Sequence, residues 1–591
     1  MKNDYLEQAK SWSQNNFYSE NSRKEIQNLI DDNNLDEIED RFYKDLEFGT
    51  GGMRSVLGQG RNRINEYTIR KASYALVLAV KSSFPDVNKN GQLKIAISYD
   101  SRHMSLEFAK VSATVFSANG IKALIYNRLN PVALVSFATR FHNCQAGIMV
   151  TASHNPPEYN GYKVFWNDGK QVTPPYDKLV IDNFNSINDI SKIPYTDFDQ
   201  EMKNNMIEWL DINTEDEYYS RIHESFINKE MCYEHGKELK VVYTAIHGSG
   251  SHPCNRALKE LGFSTLFEVE EQKEPNGDFP TVKSPNPENP DALKLAVDLL
   301  NKENADLALG TDPDTDRVGI ALKDADNQIV YLNGNQIGTL MLHYILQEMK
   351  RHNSTPQNAY FVKTIVTTPI QETIAKHFNI DCENTLTGFK WICQRVNEIE
   401  KESPERNFIF GTEESFGYLS HDHVRDKDGV SSIALICEIA LFYKLKNKTL
   451  LDALDDIYEQ FGFSNESLLC IDYFGKEGAD KISRIMSKFR NEFNENFFQN
   501  KVSIKEDYNI SKSICFPSGD ITKMNFPKSN VLGYHLEDGS RIFLRPSGTE
   551  PKIKFYVMLQ ETEGDLRTKK ESAYNKNEKI LDEIKSFVKE V

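Results

Sequence analysis

Four short apolar runs in this chain each break abruptly into a polar loop, and the loops lie about one domain apart. The first run, Ala146–Val150, meets Thr151-Ala152-Ser153-His154-Asn155-Pro156; the second, 305–309, meets Gly310-Thr311-Asp312-Pro313-Asp314-Thr315-Asp316-Arg317. The third, 407–410, meets Gly411-Thr412-Glu413-Glu414-Ser415-Phe416-Gly417-Tyr418, and the fourth, 541–544, meets Arg545-Pro546-Ser547-Gly548-Thr549-Glu550-Pro551. Short β-branched apolar runs bounded by turn residues read as buried strands. From Ser153 to Asp312 is 159 residues, from there to Glu413 is 101, and on to Arg545 is 132. A chain built this way brings one chemical group per domain to a common cleft.

At roughly 100–200 residues per domain, 591 residues predict three to five domains. The strands at 94–99 and 146–150 alternate with a helix at 132–141. The pattern restarts at 239–243, with a helix at 291–301, and again after Gly334 with a strand at 360–365, so layered α/β domains are expected. The end differs: 531–536, Asp538-Gly539 and 541–544 form a hairpin, 553–559 a further strand, and Ile580, Ile584 and Val588 share one helical face. The expected fold is three α/β domains and one C-terminal α+β domain, at 1–205, 206–326, 327–458 and 459–591. Residues 1–45 read as amphipathic helices, and the polar stretch 199–219 as a domain junction.

An excess of 87 acidic over 70 basic residues argues against a nucleic-acid binder. Eight scattered cysteines with no Cys-x-x-Cys pair read as reduced thiols of a cytoplasmic protein. The apolar stretch 431–445 holds Glu438 and Lys444 and is too short to span a bilayer, so it reads as a buried helix.

Each loop carries a chemistry. A serine at a rigid strand end is held as a nucleophile must be, and Lys163 returns to the same pocket. Asp312, Asp314 and Asp316 alternate, which in an extended segment puts them on one face. Three such carboxylates need a cation, and a few hard oxygen ligands suit Mg²⁺. An EF-hand fails, because its sixth and twelfth positions would be Arg317 and Lys323. An aspartyl-phosphate phosphatase with Asp312 as nucleophile stays open as a rival. Glu413 and Ser415 can read a pair of sugar hydroxyls. Arg545, Ser547 and Thr549 can hold a phosphate, with Gly548 letting backbone N–H groups close on it.

The wording and order of these loops resemble the α-D-phosphohexomutases across essentially the whole chain, with greatest similarity to the longer bacterial, phosphopentomutase-related group. The resemblance implies a four-domain heart-shaped architecture with a central active site. It implies that Ser153 bears the transferable phosphoryl group, with His154 beside it and Lys163 as the proton-transfer candidate, a lysine whose pKa should be depressed. It makes Asp312, Asp314, Asp316 and the phosphoserine the Mg²⁺ site, and Arg317 a substrate contact. Glu413 and Ser415 become the sugar readers; Arg545, Ser547, Gly548 and Thr549 become the phosphate loop. Gly49-Thr50-Gly51-Gly52-Met53-Arg54 is similar to the family's N-terminal loop, though Ser55 stands where many members have glycine. Thr387-Gly388-Phe389-Lys390 is similar to the specificity loop, with Phe389 where some members carry histidine and Lys390 a second acid/base or phosphate contact. The implied activity interconverts glucose 1-phosphate and glucose 6-phosphate through glucose 1,6-bisphosphate, in a monomer or weak homodimer with neither nucleic-acid nor membrane partner. Mannose or pentose phosphates, a bisphosphate synthase, and an idle sugar-bisphosphate sensor are the variants to weigh.

Overall fold

The computed structural model describes residues 2–473, 475–547 and 552–591. The chain divides into two compact units, one of Met1–Asn333, Val396–Lys401 and Ser415–Leu441, the other of Gly334–Arg395, Glu402–Glu414 and Phe442–Val591.

The first unit opens with the expected helices, Lys2–Gln14, Glu20–Asp31 and Leu35–Phe42. Ser19 and Asn34 cap the second and third by accepting from backbone N–H groups one turn on. Ala9, Trp12, Ile26, Ile38 and Phe42 close a small core with Tyr67. A six-stranded sheet follows, in the order Gly52–Val56, Tyr159–Trp166, Ala146–Val150, Lys94–Tyr99, Lys122–Tyr126, Ile207–Leu210. Its last four strands run parallel, so helices must cover both faces, and all five residues of Ala146–Val150 are buried. Each fully buried aliphatic side chain there contributes roughly 1.5–3 kcal/mol.

The stretch 199–219 is not a simple junction. It contains the end of the helix Phe198–Lys203, the strand Ile207–Leu210 and the start of the helix Ile212–Ser225. The strand extends the first sheet beside Lys122–Tyr126. Its polarity reflects its place at a sheet edge, where one side of the strand is unpaired.

The second sheet of this unit orders Ile329–Leu332, Val318–Lys323, Leu307–Thr311, Val241–Thr244, Leu266–Glu268. The apolar stretch near 431–445 is the helix Gly429–Lys444, buried along nearly all its length. Among the described residues no helix is long and apolar enough to cross a membrane.

In the second unit, Asp381–Thr385, Ala359–Thr364 and Asn407–Glu413 form a parallel sheet, as an α/β layer requires. The C-terminal sheet is antiparallel, and the hairpin turns where Asp538-Gly539 places it, with Gly539 at φ +88°. The helices Gly475–Glu492 and Leu566–Glu590 cover it, with Ile485, Phe489, Ile580 and Ile584 in one core with Phe555 and Val557. This is the expected α+β ending.

Candidate active site

Ser153 sits two residues beyond Thr151, buried, with φ +52°. A non-glycine residue in this left-handed region costs about 1–2 kcal/mol, and the surroundings must hold it there. Its N–H donates to Thr151 Oγ1 at 2.8 Å, and that hydroxyl donates to Asp100 Oδ2 at 2.6 Å. Asp100 also accepts from Ser105 Oγ at 2.8 Å and from the Arg102 N–H at 3.0 Å. The Arg102 guanidinium in turn donates to the carbonyls of Ser153 (2.6 Å), Pro156 (2.8 Å), Tyr159 (2.9 Å) and Asn155. One buried arginine therefore fixes the whole serine loop. Arg102→Met should destabilise the protein by about 3–5 kcal/mol, because it strands a buried carboxylate and four carbonyls. Chemical denaturation measures this, and a loss under about 1 kcal/mol would remove Arg102 from that role.

The aspartate loop joins the antiparallel strands Leu307–Thr311 and Val318–Lys323. It is a turn rather than the extended segment expected. Thr315 takes φ +55° and its N–H donates to the Asp312 carbonyl at 2.9 Å. Asp312 Oδ1 accepts the N–H groups of Asp316 (2.9 Å) and Arg317 (3.0 Å). The carboxylates therefore converge by coiling around Asp312, and one oxygen from each lies within 4.8 Å of the others. The loop after Val241–Thr244 supports this coil: the Ser249 hydroxyl donates to the Pro313 carbonyl at 2.8 Å. A Cβ on Gly248 would lie 2.5 Å from Pro313 Cα, so only glycine fits there.

The two loops meet. Ser153 Oγ donates to Asp312 Oδ2 at 2.9 Å, and His154 Nδ1 lies 3.2 Å from the same hydroxyl. Lys163 Nζ reaches Asp314 at 2.6 Å and Asp316 at 3.3 Å, and Lys427 Nζ reaches Asp316 at 3.2 Å. Arg317 pairs with Glu288 and lies 3.8 Å from Asp316. The strand Gly52–Val56 pairs with Tyr159–Trp166 so that Gly52 faces Lys163, and Arg54 Nη1 donates to Asn155 Oδ1 at 2.7 Å. Ser55 turns back onto its own loop, donating to the Asn62 carbonyl at 3.2 Å.

Burial, then Asp316 and Asp314, drive the Asp312 carboxyl well above its ordinary pKa. Burial would do the same to Asp316, but Lys427, Lys163 and Arg317 outweigh it and pull that group down. Burial, reinforced by Arg317 and Arg54, holds His154 well below the usual histidine value, so the imidazole is neutral. Lys163 departs from expectation. Burial lowers its pKa, yet the carboxylates of Asp314 and Asp316 outweigh burial and raise it. Paired with these two carboxylates, the lysine favours its protonated form. Asp314 Oδ1 and Asp316 Oδ1 are buried without hydrogen-bond partners among the described residues. Clustered, repelling, partly unsatisfied carboxylate oxygens fit a small divalent cation.

The remaining expected residues lie in other loops. Glu413 is buried at the end of Asn407–Glu413, and Ser415 follows two residues on. Lys390 opens the helix Phe389–Glu402, its ammonium 5.2 Å from the Trp391 ring centroid. Arg545, in Arg541–Pro546, donates to Thr387 Oγ1 at 2.6 Å, which joins the Thr387-Gly388 loop to the arginine. The Ser547 N–H donates to the Lys552 carbonyl at 2.8 Å. Gly548 and Thr549 lie outside the described residues. Asp100, Arg102, Ser249, Glu288 and Lys427 received no role from the sequence. The available signals are the polar strand ends Asp100-Ser101-Arg102 and Gly248-Ser249-Gly250, and the charge run Arg425-Asp426-Lys427-Asp428 directly before an apolar helix.

Four family models, described as alpha/beta/alpha domains I, II and III and the C-terminal domain of phosphoglucomutase/phosphomannomutase, match residues 45–190, 216–326, 333–461 and 504–571. The chain belongs to the phosphoglucomutase/phosphomannomutase family. A phosphoglucomutase of Staphylococcus aureus (strain bovine RF122 / ET3-1) is 37% identical over 524 residues, spanning 89% of this chain and 91% of that protein. The same enzyme of strain USA300 is 37% identical over 526 residues, spanning 89% and 92%. Among solved structures, parafusin, a phosphoglucomutase from Paramecium, superposes with a TM-score of 0.67 at 18% identity over 91% of this chain and 95% of that one. A phosphoglucomutase/phosphomannomutase family protein from Burkholderia thailandensis gives 0.59 at 17% identity over 90% and 97%. These two show the shared fold, the four-domain phosphohexomutase architecture. The family match and the full-length relatives make the chain a mutase, an isomerase that moves a phosphoryl group, rather than a phosphatase.

Proposed function

We propose that the protein interconverts glucose 1-phosphate and glucose 6-phosphate, with Ser153 carrying the phosphoryl group and glucose 1,6-bisphosphate as intermediate. The observation that carries this reading is the Ser153 hydroxyl held 2.9 Å from Asp312, at the mouth of a buried three-carboxylate cluster. Asp312, Asp314 and Asp316 would hold Mg²⁺. Bound there, the ion would neutralise charge on the transferring group.

The transfer balances as follows. The sugar 6-hydroxyl oxygen attacks phosphorus, its O–P bond forms, and the bond from phosphorus to Ser153 Oγ breaks. The hydroxyl proton leaves to a basic group and Ser153 Oγ is left to accept one. Lys163, as an ammonium, offsets charge and can supply a proton. To act as base it must first leave Asp314 and Asp316. Neutral His154, beside Ser153 Oγ, orients that hydroxyl. Arg54 and Arg317, now paired with Asn155 and Glu288, would turn to substrate oxygens. The bisphosphate then reverses, and its 1-phosphoryl group returns to Ser153.

Glu413 and Ser415 are assigned to the sugar hydroxyls, Lys390 to a phosphate or proton contact, and Arg545, Ser547, Gly548 and Thr549 to the non-reacting phosphate. Arg545→Ala should raise KM roughly 10- to 100-fold with kcat nearly unchanged, because it removes binding common to ground and transition states. A wild-type KM in steady-state assays would take Arg545 out of the phosphate site. A cytoplasmic, monomeric or weakly dimeric enzyme completes the reading.

The direct test supplies glucose 1-phosphate, Mg²⁺ and a trace of glucose 1,6-bisphosphate, and follows glucose 6-phosphate and free phosphate together. Conversion without phosphate release is the expected result. Faster turnover of mannose 1-phosphate or ribose 1-phosphate would reassign the substrate, and phosphate release alone would overturn the mutase chemistry.

A further inference from the structure

A cavity of about 430 Å³ lies in the first unit, lined by the end of Lys2–Gln14 and the turn after it, the start of Glu66–Ser83, and the end of Tyr176–Ser186 with the segment that follows. That volume is within the range of small-molecule sites. None of its lining residues belongs to the catalytic site.

Lys71 gives the cavity its chemistry. Its side chain lines the space, the residue is only 9% exposed, and its ammonium lies 4.5 Å from the Phe184 ring centroid. It makes no hydrogen bond or ion pair among the described residues. A buried ammonium with no hydrogen-bond partner is costly, and burial lowers its pKa against the opposing pull of Asp45 on the same wall. The other charges on the wall are satisfied locally. Arg61 binds Asp45 at 2.5 Å and Gln8 at 2.9 Å. Asp189 takes the Ser191 hydroxyl at 2.6 Å and Lys192 at 3.2 Å. Of the charged side chains on the wall, Lys71 is the one that forms no ion pair among the described residues. The side chains of Asn185 and Asn188 offer amide donors and acceptors, Asn15 adds an amide donor while its Oδ1 takes the Phe17 N–H at 2.9 Å, and Trp12 stacks on Tyr18 at 3.7 Å to make a flat wall.

We propose that this cavity is a second ligand site, which binds a small hydroxylated organic anion with its charged head on Lys71 Nζ and its hydroxyls on the asparagine amides. The anionic head can be a phosphate monoester or a carboxylate, and the two are separable by titration.

Trp12 supplies the signal. Glycerol 3-phosphate and glycerate, titrated separately, should give a saturable change in tryptophan emission with at least one of them. The response should vanish in Trp12→Phe, and uncharged glycerol should produce none. Lys71→Met should weaken binding roughly 10- to 100-fold, the loss expected for a charge-assisted contact, and Lys71→Arg should restore most of it. Asn188→Asp, at the exposed rim, adds a repelling carboxylate without disturbing the core and should weaken binding several-fold. It carries the test if Lys71→Met fails to fold. The proposal is overturned by the absence of a Trp12-dependent response to either probe up to about 10 mM, where sites of millimolar Kd fill. It is equally overturned by a response indifferent to both the Lys71 and Asn188 changes.

Discussion

Ser153→Ala should lower mutase turnover by roughly 10⁴-fold or more, the scale seen when a nucleophile is removed. The fold should survive. The change deletes Oγ with its 2.9 Å bond to Asp312 and its 3.2 Å contact to His154 Nδ1, while the backbone bond from residue 153 to Thr151 Oγ1 and the four Arg102 contacts remain. Losing the hydroxyl's contacts costs about 1–2 kcal/mol. Initial rates and a urea melt on the same preparation separate the two effects. A variant rate within ten-fold of wild type would mean that another group carries the phosphoryl transfer.

Asp314→Asn should cost about 10³-fold in Mg²⁺-dependent rate, equivalent to roughly 4 kcal/mol of transition-state stabilisation. It removes one of three carboxylates that lie within 4.8 Å of one another, and with it the oxygen that faces Lys163 at 2.6 Å. Metal binding should also be visible without catalysis. A ligand that binds only the folded state stabilises it by about 2.7 kcal/mol at a hundredfold excess over Kd. Wild type should therefore melt at a higher temperature in Mg²⁺ than in chelator, and the variant should lose most of that increment. Equal Mg²⁺ dependence of rate and melting in both proteins would remove the aspartates from the metal site.

Much of this was legible in the sequence because the decisive elements are buried strands. Ala146–Val150, Lys94–Tyr99 and the Asp538-Gly539 hairpin follow from apolar runs and turn chemistry that tolerate few other folds. The edge strand Ile207–Leu210 was missed because an edge carries the polarity of a linker. The coil of the aspartate loop was also hidden. Nothing in Asp312-Pro313-Asp314-Thr315-Asp316 announces that Thr315 takes a left-handed backbone, and strand alternation is the simpler reading. The scaffold around Ser153 depends on pairings between distant segments. Arg102 matters through four carbonyls at positions 153, 155, 156 and 159, a relation that exists only once two adjacent parallel strands end side by side. The raised pKa of Lys163 is hidden from the sequence for the same reason. Spacing brings the lysine to the pocket, but only the folded arrangement shows two carboxylates within 3.3 Å of it.

The most direct test of the account is phosphoryl transfer through Ser153. Protein incubated with ³²P-labelled glucose 1,6-bisphosphate and Mg²⁺, then digested, should carry label on the peptide containing Ser153. A chase with unlabelled glucose 1-phosphate should move that label onto the sugar bisphosphate and glucose 6-phosphate, with little free phosphate. Label on the Asp312 peptide, or label lost only as inorganic phosphate, would contradict the account.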